Sequence, residues 1–476
     1  MFGATPLSKA RQWSFLKEEA QKLVPALPMR ALHFDVAGIQ CDLSHNYTTD
    51  TILDLLSELC QSQGVMEFFQ AMLRGEKVNV SENRQALHTA LRNPHYPLES
   101  IREPINATLQ QMQTLTDAIH RGQYNRPIRH VVHIGIGGSD YGPKFLIKAL
   151  EDYGISDLSF HFIANIDPWE LQDTLKRIDV AHTVFIVSSK SFRTDETLTN
   201  FNNLCLAVNA DASFIQNQCI AITANKELAL AKGFKAEHIL AINDWVGGRF
   251  SVWSAMGFSL MLAIGEQNFK DFLAGAREMD KACSTEDFLQ NPALVLAALD
   301  CWYTNFLGAA SRAILIYSSP LQGLIHYLQQ LMMESNGKSY TMQKETVDYD
   351  TNPIIWGGIG SNSQHTFQQL LMEGTRLVPV DIIFSRTGKV DFEQQHRKLV
   401  THCLAQAQAL ILARAQQGQP YHLLSFEKIS PQTMGALLAL YEHRTVMSAA
   451  LWAINPFDQS GVELGKHLLS KGTITT

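Results

Sequence analysis

The chain has 476 residues, 46% hydrophobic and 18% charged, enough for a large buried core and more than one domain. A formal net charge of −7 without a basic stripe argues against a nucleic-acid partner. Seven scattered cysteines with no C-x-x-C fit free thiols in a reducing compartment, and Met1–Lys9 carries no apolar leader, so a cytoplasmic protein is expected.

Residues 1–125 predict a mainly helical N-terminal segment, with helical spacing over Val80–Arg92 and Ile101–His120. From Arg129 the pattern changes to short β-branched runs, each followed by a Gly/Ser/Thr loop and a helical stretch. His130–Ile136 predicts a strand, Gly137–Gly142 its loop, and Pro143 the opening of a helix. His182–Ser189 predicts a second strand, followed by the loop Lys190–Thr194 and a helix from about Asp195. A second set begins at Arg312–Ser319, and Leu377–Phe384 predicts a later strand. Strands alternating with helices imply an α/β protein of two αβα sandwich domains, spanning 126–280 and 281–476, the second with a C-terminal helical segment, with parallel sheets covered on both faces. Ligands of such sheets bind at the carboxyl ends of the strands. The longest apolar stretch, Met434–Ile454, is interrupted by Glu442, His443 and Arg444, so no membrane span is expected.

Six segments carry candidate chemistry. Gln330-Leu331-Met332-Met333-Glu334-Ser335-Asn336-Gly337-Lys338 ends an apolar run with a carboxylate. If Leu321–Met333 is helical, His326, Gln330 and Glu334 share one face, and a partly desolvated Glu334 suits a general base. Taken alone, the segment reads better as a surface carboxylate closing a helix. Gly135-Ile136-Gly137-Gly138-Ser139-Asp140 lacks the third glycine of a dinucleotide loop and the lysine of a P-loop. It remains a glycine loop, with Gly138 backbone and the Ser139 hydroxyl able to meet an anion, although a plain β-α turn fits equally well. Ser189, Lys190, Ser191, Thr194 and Thr197 surround a second strand-to-helix junction. N-capping by Thr194 or Asp195 is the ordinary alternative. Two such junctions in successive units favour a phosphate cradle.

Arg249 follows Gly247-Gly248, and its fixed fork suits a developing oxyanion, whereas an isolated arginine more often makes a structural salt bridge. His365 ends a polar glycine-rich loop, a placement that favours function over packing. Lys466 follows a glycine near the C-terminus, where most lysines are solvated. His130 and His133 fall on opposite faces of a strand, and no metal-ligand motif is present, so no metal is expected.

Together, Ile134–Pro143, Ser189–Asn200, Asp244–Ser254, Gln329–Lys338, Trp356–Phe367 and Asn455–Lys466 resemble the glucose-6-phosphate isomerase family, built from two sugar-isomerase (SIS-type) αβα domains. The resemblance covers about the last three-quarters of the chain. It implies that Glu334 moves a proton between C2 and C1 of an open-chain sugar phosphate and that Arg249 stabilises the cis-enediolate. It further implies that His365 and Lys466 serve ring opening, and that Ser139, Ser189, Ser191, Thr194 and Thr197 hold the phosphate. Gln330 and Gln459 match substrate-contacting glutamines. No cofactor is implied, and the assembly implied is a homodimer in which His365 crosses to the neighbouring subunit. Departures from the family pattern fall at Ser191, Arg193, Asp195, Asn243, Met332 and Ser460, and at Gly358-Ile359 ahead of His365. A broader isomerase that also accepts mannose 6-phosphate is one alternative. A non-catalytic phosphosugar-binding regulator is another, which would need the hydroxyl loops but neither Glu334 nor Arg249.

Overall fold

The computed structural model describes residues 6–23, 30–124, 126–413 and 418–462. Its first sheet is built from β3 (His130–Ile134), β4 (Ser159–Ile163), β5 (Thr183–Ser188), β6 (Cys219–Thr223) and β7 (Ile239–Ala241). The strand order is β4-β3-β5-β6-β7, all parallel. Every residue of β5, Thr-Val-Phe-Ile-Val-Ser, is buried, as a central strand covered on both faces requires. After β3 the chain steps to β4 on one side and then to β5 on the other. This reversal opens a crevice at the carboxyl ends of β3 and β5, where the two candidate anion loops emerge.

The second sheet has six strands, β1 (His33–Val36), β2 (Ile39–Asp42), β8 (Ser311–Ile316), β9 (Ile354–Ile359), β10 (Val380–Ser385) and β11 (Tyr421–Phe426), in the order β1-β2-β11-β10-β8-β9. Strands β8 to β11 are parallel. The hairpin β1-β2 adds an antiparallel edge to β11. The N-terminal segment is mainly helical, with this hairpin inserted. Ala37 and Gly38 turn that hairpin with φ of 50° and 76°, the left-handed pair a tight two-residue turn needs.

Two expectations need correction. Val80–Arg92 forms no α-helix; it makes an isolated bridge between Asn79 and Arg84 and a 3₁₀ turn at His88–Arg92. Tertiary ties override its spacing, because Asn455 donates to both Asn79 and Ser81. The helix expected to open at Pro143 begins at Tyr141, which puts the proline in the first turn, where a missing N–H is tolerated. Glu99–His120 is helical as its spacing predicts.

The large core lies between the sheets, around the helices Phe258–Ala282, Pro292–Cys301 and Pro431–Leu451. The first and last of these cross closely at two glycines. A Cβ on Gly275 would lie 1.9 Å from the Gln432 carbonyl, and one on Gly435 would lie 2.0 Å from that of Phe272. The charges that interrupt Met434–Ile454 are fully buried and paired. Arg444 bonds Asp300 and Asp381, and Arg92 bonds Asp280 and Glu442. Among the described residues, no helix is long and apolar enough to cross a membrane.

Candidate active site

A cleft of about 840 Å³ lies between the sheets at the strand ends. Its wall includes Gly138, Lys190, Ser191, Thr194, Arg249, Gln330, Glu334 and Gln459, so the structure gathers most of the candidate residues from five separate segments.

Glu334 closes a π-helical stretch, Gln329–Glu334, that continues the α-helix Leu324–Leu328. Widening of the winding changes the expected phase, and π turns are often found at functional sites. Gln330 and Glu334 still reach one cleft, but His326 faces solvent, where it bonds the Gln329 side chain. The Gln330 amide lies against Gly137 rather than supporting the carboxylate. Met332, the departure two residues before Glu334, is core-buried and fills apolar space.

Arg249 sits in a 3₁₀ turn, Gly248–Phe250, and is only 3% exposed. Its Nε donates to Ser335 Oγ at 2.6 Å, and its Nη2 donates to the carbonyls of Pro456 and Asp458. Its Nη1 donates to Gln459 Oε1 at 3.2 Å and stands 3.6 Å from Glu334 Oε2. Burial lowers the guanidinium's proton affinity, opposed by Glu334 and Asp458, yet arginine stays charged. Three sides of the fork are thus fixed and one edge shares the cleft with the carboxylate.

The two loops that bracket this pair touch each other. A Cβ on Gly138 would fall 2.0 Å from the Gly248 carbonyl, so only glycine lets the β3 loop approach the Arg249 turn. Gly138→Ala is therefore expected to displace Arg249 and lower kcat by about 10²-fold, since displacements near 1 Å carry such penalties. Steady-state kinetics alongside a melting curve would check this; unchanged kcat would mean the contact is slack.

At the second junction, Ser189 and Thr194 share a hydrogen bond between their hydroxyls at 2.9 Å. Thr194 occupies the N-cap position of helix Asp195–Ala207 but makes no side-chain cap bond, so the ordinary capping alternative is not what the structure contains. Ser139 and Thr197 are buried, next in sequence to the wall residues Gly138 and Glu196. Ser139 donates only to the weak acceptor Met256 Sδ, and the buried Thr197 hydroxyl has no hydrogen-bond partner among the described residues. Lys190, in the cleft wall, donates to the carbonyls of Asp244 at 2.6 Å and Val246 at 3.0 Å. Burial lowers its pKa, with Asp244 opposing.

His365 is exposed and is not part of its own chain's cleft wall. Lys466 lies outside the described residues. Sequence reasoning missed the clamp made by Lys338, whose ammonium donates to the Asn455 and Asp458 carbonyls and to Asp458 Oδ1 at 2.7 Å. Burial alone would raise the Asp458 carboxyl, but bonds from Lys338 and Ser81 hold it below its ordinary value. Lys338 and Arg249 together brace the loop that presents Gln459. The signal was visible, since Lys338 and Ser335 both stand in the segment that carries Glu334. Among the described residues, no group of three or more His, Cys, Asp or Glu side chains is placed to hold a metal ion.

Paired αβα layers that open a hydroxyl-lined crevice at their strand ends define the SIS-type class. The family described as phosphoglucose isomerase matches residues 42–474, and the chain belongs to that family. A glucose-6-phosphate isomerase of Laribacter hongkongensis is 39% identical, with 95% of this chain and 89% of that protein covered. One from Shewanella oneidensis is 38% identical, with 98% and 94% covered. The crystal structure of a glucose-6-phosphate isomerase from Chlamydia trachomatis superposes with a TM-score of 0.89 at 28% identity, covering 98% of this chain and 96% of that one.

Proposed function

We propose that this protein interconverts glucose 6-phosphate and fructose 6-phosphate, as a cytoplasmic enzyme of glycolysis and gluconeogenesis. The observation that carries the reading is the approach of Glu334 Oε2 to Arg249 Nη1, 3.6 Å, in a cleft whose far wall bears the Ser191 and Thr194 hydroxyls. A carboxylate beside a fixed guanidinium suits removal of a proton next to a carbonyl, with the cation stabilising the enediolate that forms. Glu334 carries the proton between C2 and C1, and Arg249 holds the oxygen charge. Anchoring the phosphate far from these carbons positions them. His365 and Lys466 are assigned to ring opening, and no cofactor is required. A coupled assay with glucose 6-phosphate and fructose 6-phosphate, run beside mannose 6-phosphate, tests the reading. Turnover of the first two supports it; binding of both without turnover would favour a phosphosugar-binding regulator.

His365 is exposed on its own chain, which supports its service in a neighbouring subunit of a homodimer. A C2 interface would place two copies reciprocally. Mixing Glu334→Gln with His365→Ala under subunit exchange is then expected to restore activity, because each mixed dimer has one intact site. Exchange confirmed by mass spectrometry without recovery would place His365 in its own chain's site.

A further inference from the structure

We propose that Arg193, rather than Lys190, is the cation that takes the substrate's phosphate; the proposal rests on the isomerase reading above. Three features of the loop after β5 point to it. The first is the loop's pivot. Phe192 is buried, packs edge-on to Phe234 with ring centroids 5.7 Å apart, and holds a φ of 51°. A bulky residue in the left-handed region is uncommon, and such backbone strain concentrates at ligand sites. With Phe192 pinned inward, Ser191 and Arg193 on either side of it are both exposed and both line the cleft. The Arg193 backbone N–H donates to Ser191 Oγ at 3.2 Å, which draws the two residues together.

The second feature is the state of the competing lysine. Two of the three Lys190 protons are committed to the Asp244 and Val246 carbonyls. Its ammonium braces the Arg249 loop and has little left to offer an anion. The third is the freedom of Arg193 itself, whose guanidinium makes no hydrogen bond or ion pair among the described residues. Glu82 and Glu196 also line this cleft; Arg84 Nη1 stands 3.8 Å from Glu82 Oε2, but a phosphate dianion entering beside the hydroxyls still needs a positive group to offset Glu196. A planar fork that meets two phosphate oxygens at once answers that need better than a point charge. The departure at Arg193 thus adds a guanidinium beside the cradle's hydroxyls, in a cleft whose other cations, Arg84, Lys190 and Arg249, each have partners.

The test compares wild type with Arg193→Thr and Arg193→Lys. For Arg193→Thr we expect KM for fructose 6-phosphate and the inhibition constant of inorganic phosphate to rise together, roughly tenfold each. We expect kcat to change by less than about twofold, the mark of lost ground-state binding. Wild-type KM should rise with ionic strength more steeply than that of Arg193→Thr, because a charge pair at an open cleft is screened. Arg193→Lys should recover part of the loss. Unchanged KM and phosphate inhibition in Arg193→Thr would overturn the proposal and return the role to Lys190. A fall in kcat at constant KM would overturn it too. If wild type turned over neither sugar phosphate, the isomerase reading would fail instead. Calorimetric titration of inorganic phosphate into wild type and Arg193→Thr would then decide the Arg193 question alone, with equal affinities counting against it.

Discussion

Glu334→Gln is expected to lower kcat by at least ~10²-fold while KM stays within about threefold of wild type. The substitution keeps the side chain's shape in the π-helical turn and removes its negative charge and its ability to accept a proton. Glu334 Oε2 is buried, stands 3.6 Å from Arg249 Nη1 and has no hydrogen-bond partner among the described residues. A carboxylate held near a cation but left unbonded is available to a substrate. The fold should tolerate glutamine, since neighbouring Ser335 and Gln459 keep their bonds to Arg249. Stopped assays at saturating substrate would measure the loss. Near-normal turnover would remove Glu334 from the proton transfer and leave the cleft without an assigned base.

Arg249→Lys should be almost as damaging, although the charge is retained. We expect a fall in kcat on the order of 10²–10³, the range for loss of one fixed oxyanion donor. The guanidinium reaches Ser335, Gln459 and the carbonyls of Pro456 and Asp458 from one planar group. An ammonium on a flexible stem cannot hold all four and face the cleft as well. Buried carbonyls left unpaired would also lower the melting temperature, so activity and stability should drop together. A variant with wild-type turnover would mean that the cation's position, and not its fork, is what matters.

How far the sequence could be read depended on whether a feature was local. β5 was legible because an unbroken β-branched run between polar loops has few other uses, and the loops after β3 and β5 followed from it. The helix Glu99–His120 was legible through its period. The β1-β2 hairpin was not, because four-residue strands carry little pattern and their burial comes from pairing with β11. Nor was the π-helical winding before Glu334, which no apolar period announces and which turned His326 outward. At the site, residue types with obvious chemistry stood out in the sequence, while the Lys338 clamp and the carbonyl partners of Lys190 did not. Both depend on carbonyls of distant loops, which a sequence does not display.

The most direct measurement is conversion of fructose 6-phosphate in deuterium oxide, followed by NMR at C2 of the product. A base that carries the proton exchanges some of it with solvent, so the glucose 6-phosphate formed by wild type should contain deuterium at C2. Glu334→Gln should abolish both the conversion and the label. Rapid conversion with no deuterium at C2 under any condition would indicate a direct hydride shift and contradict the Glu334–Arg249 account.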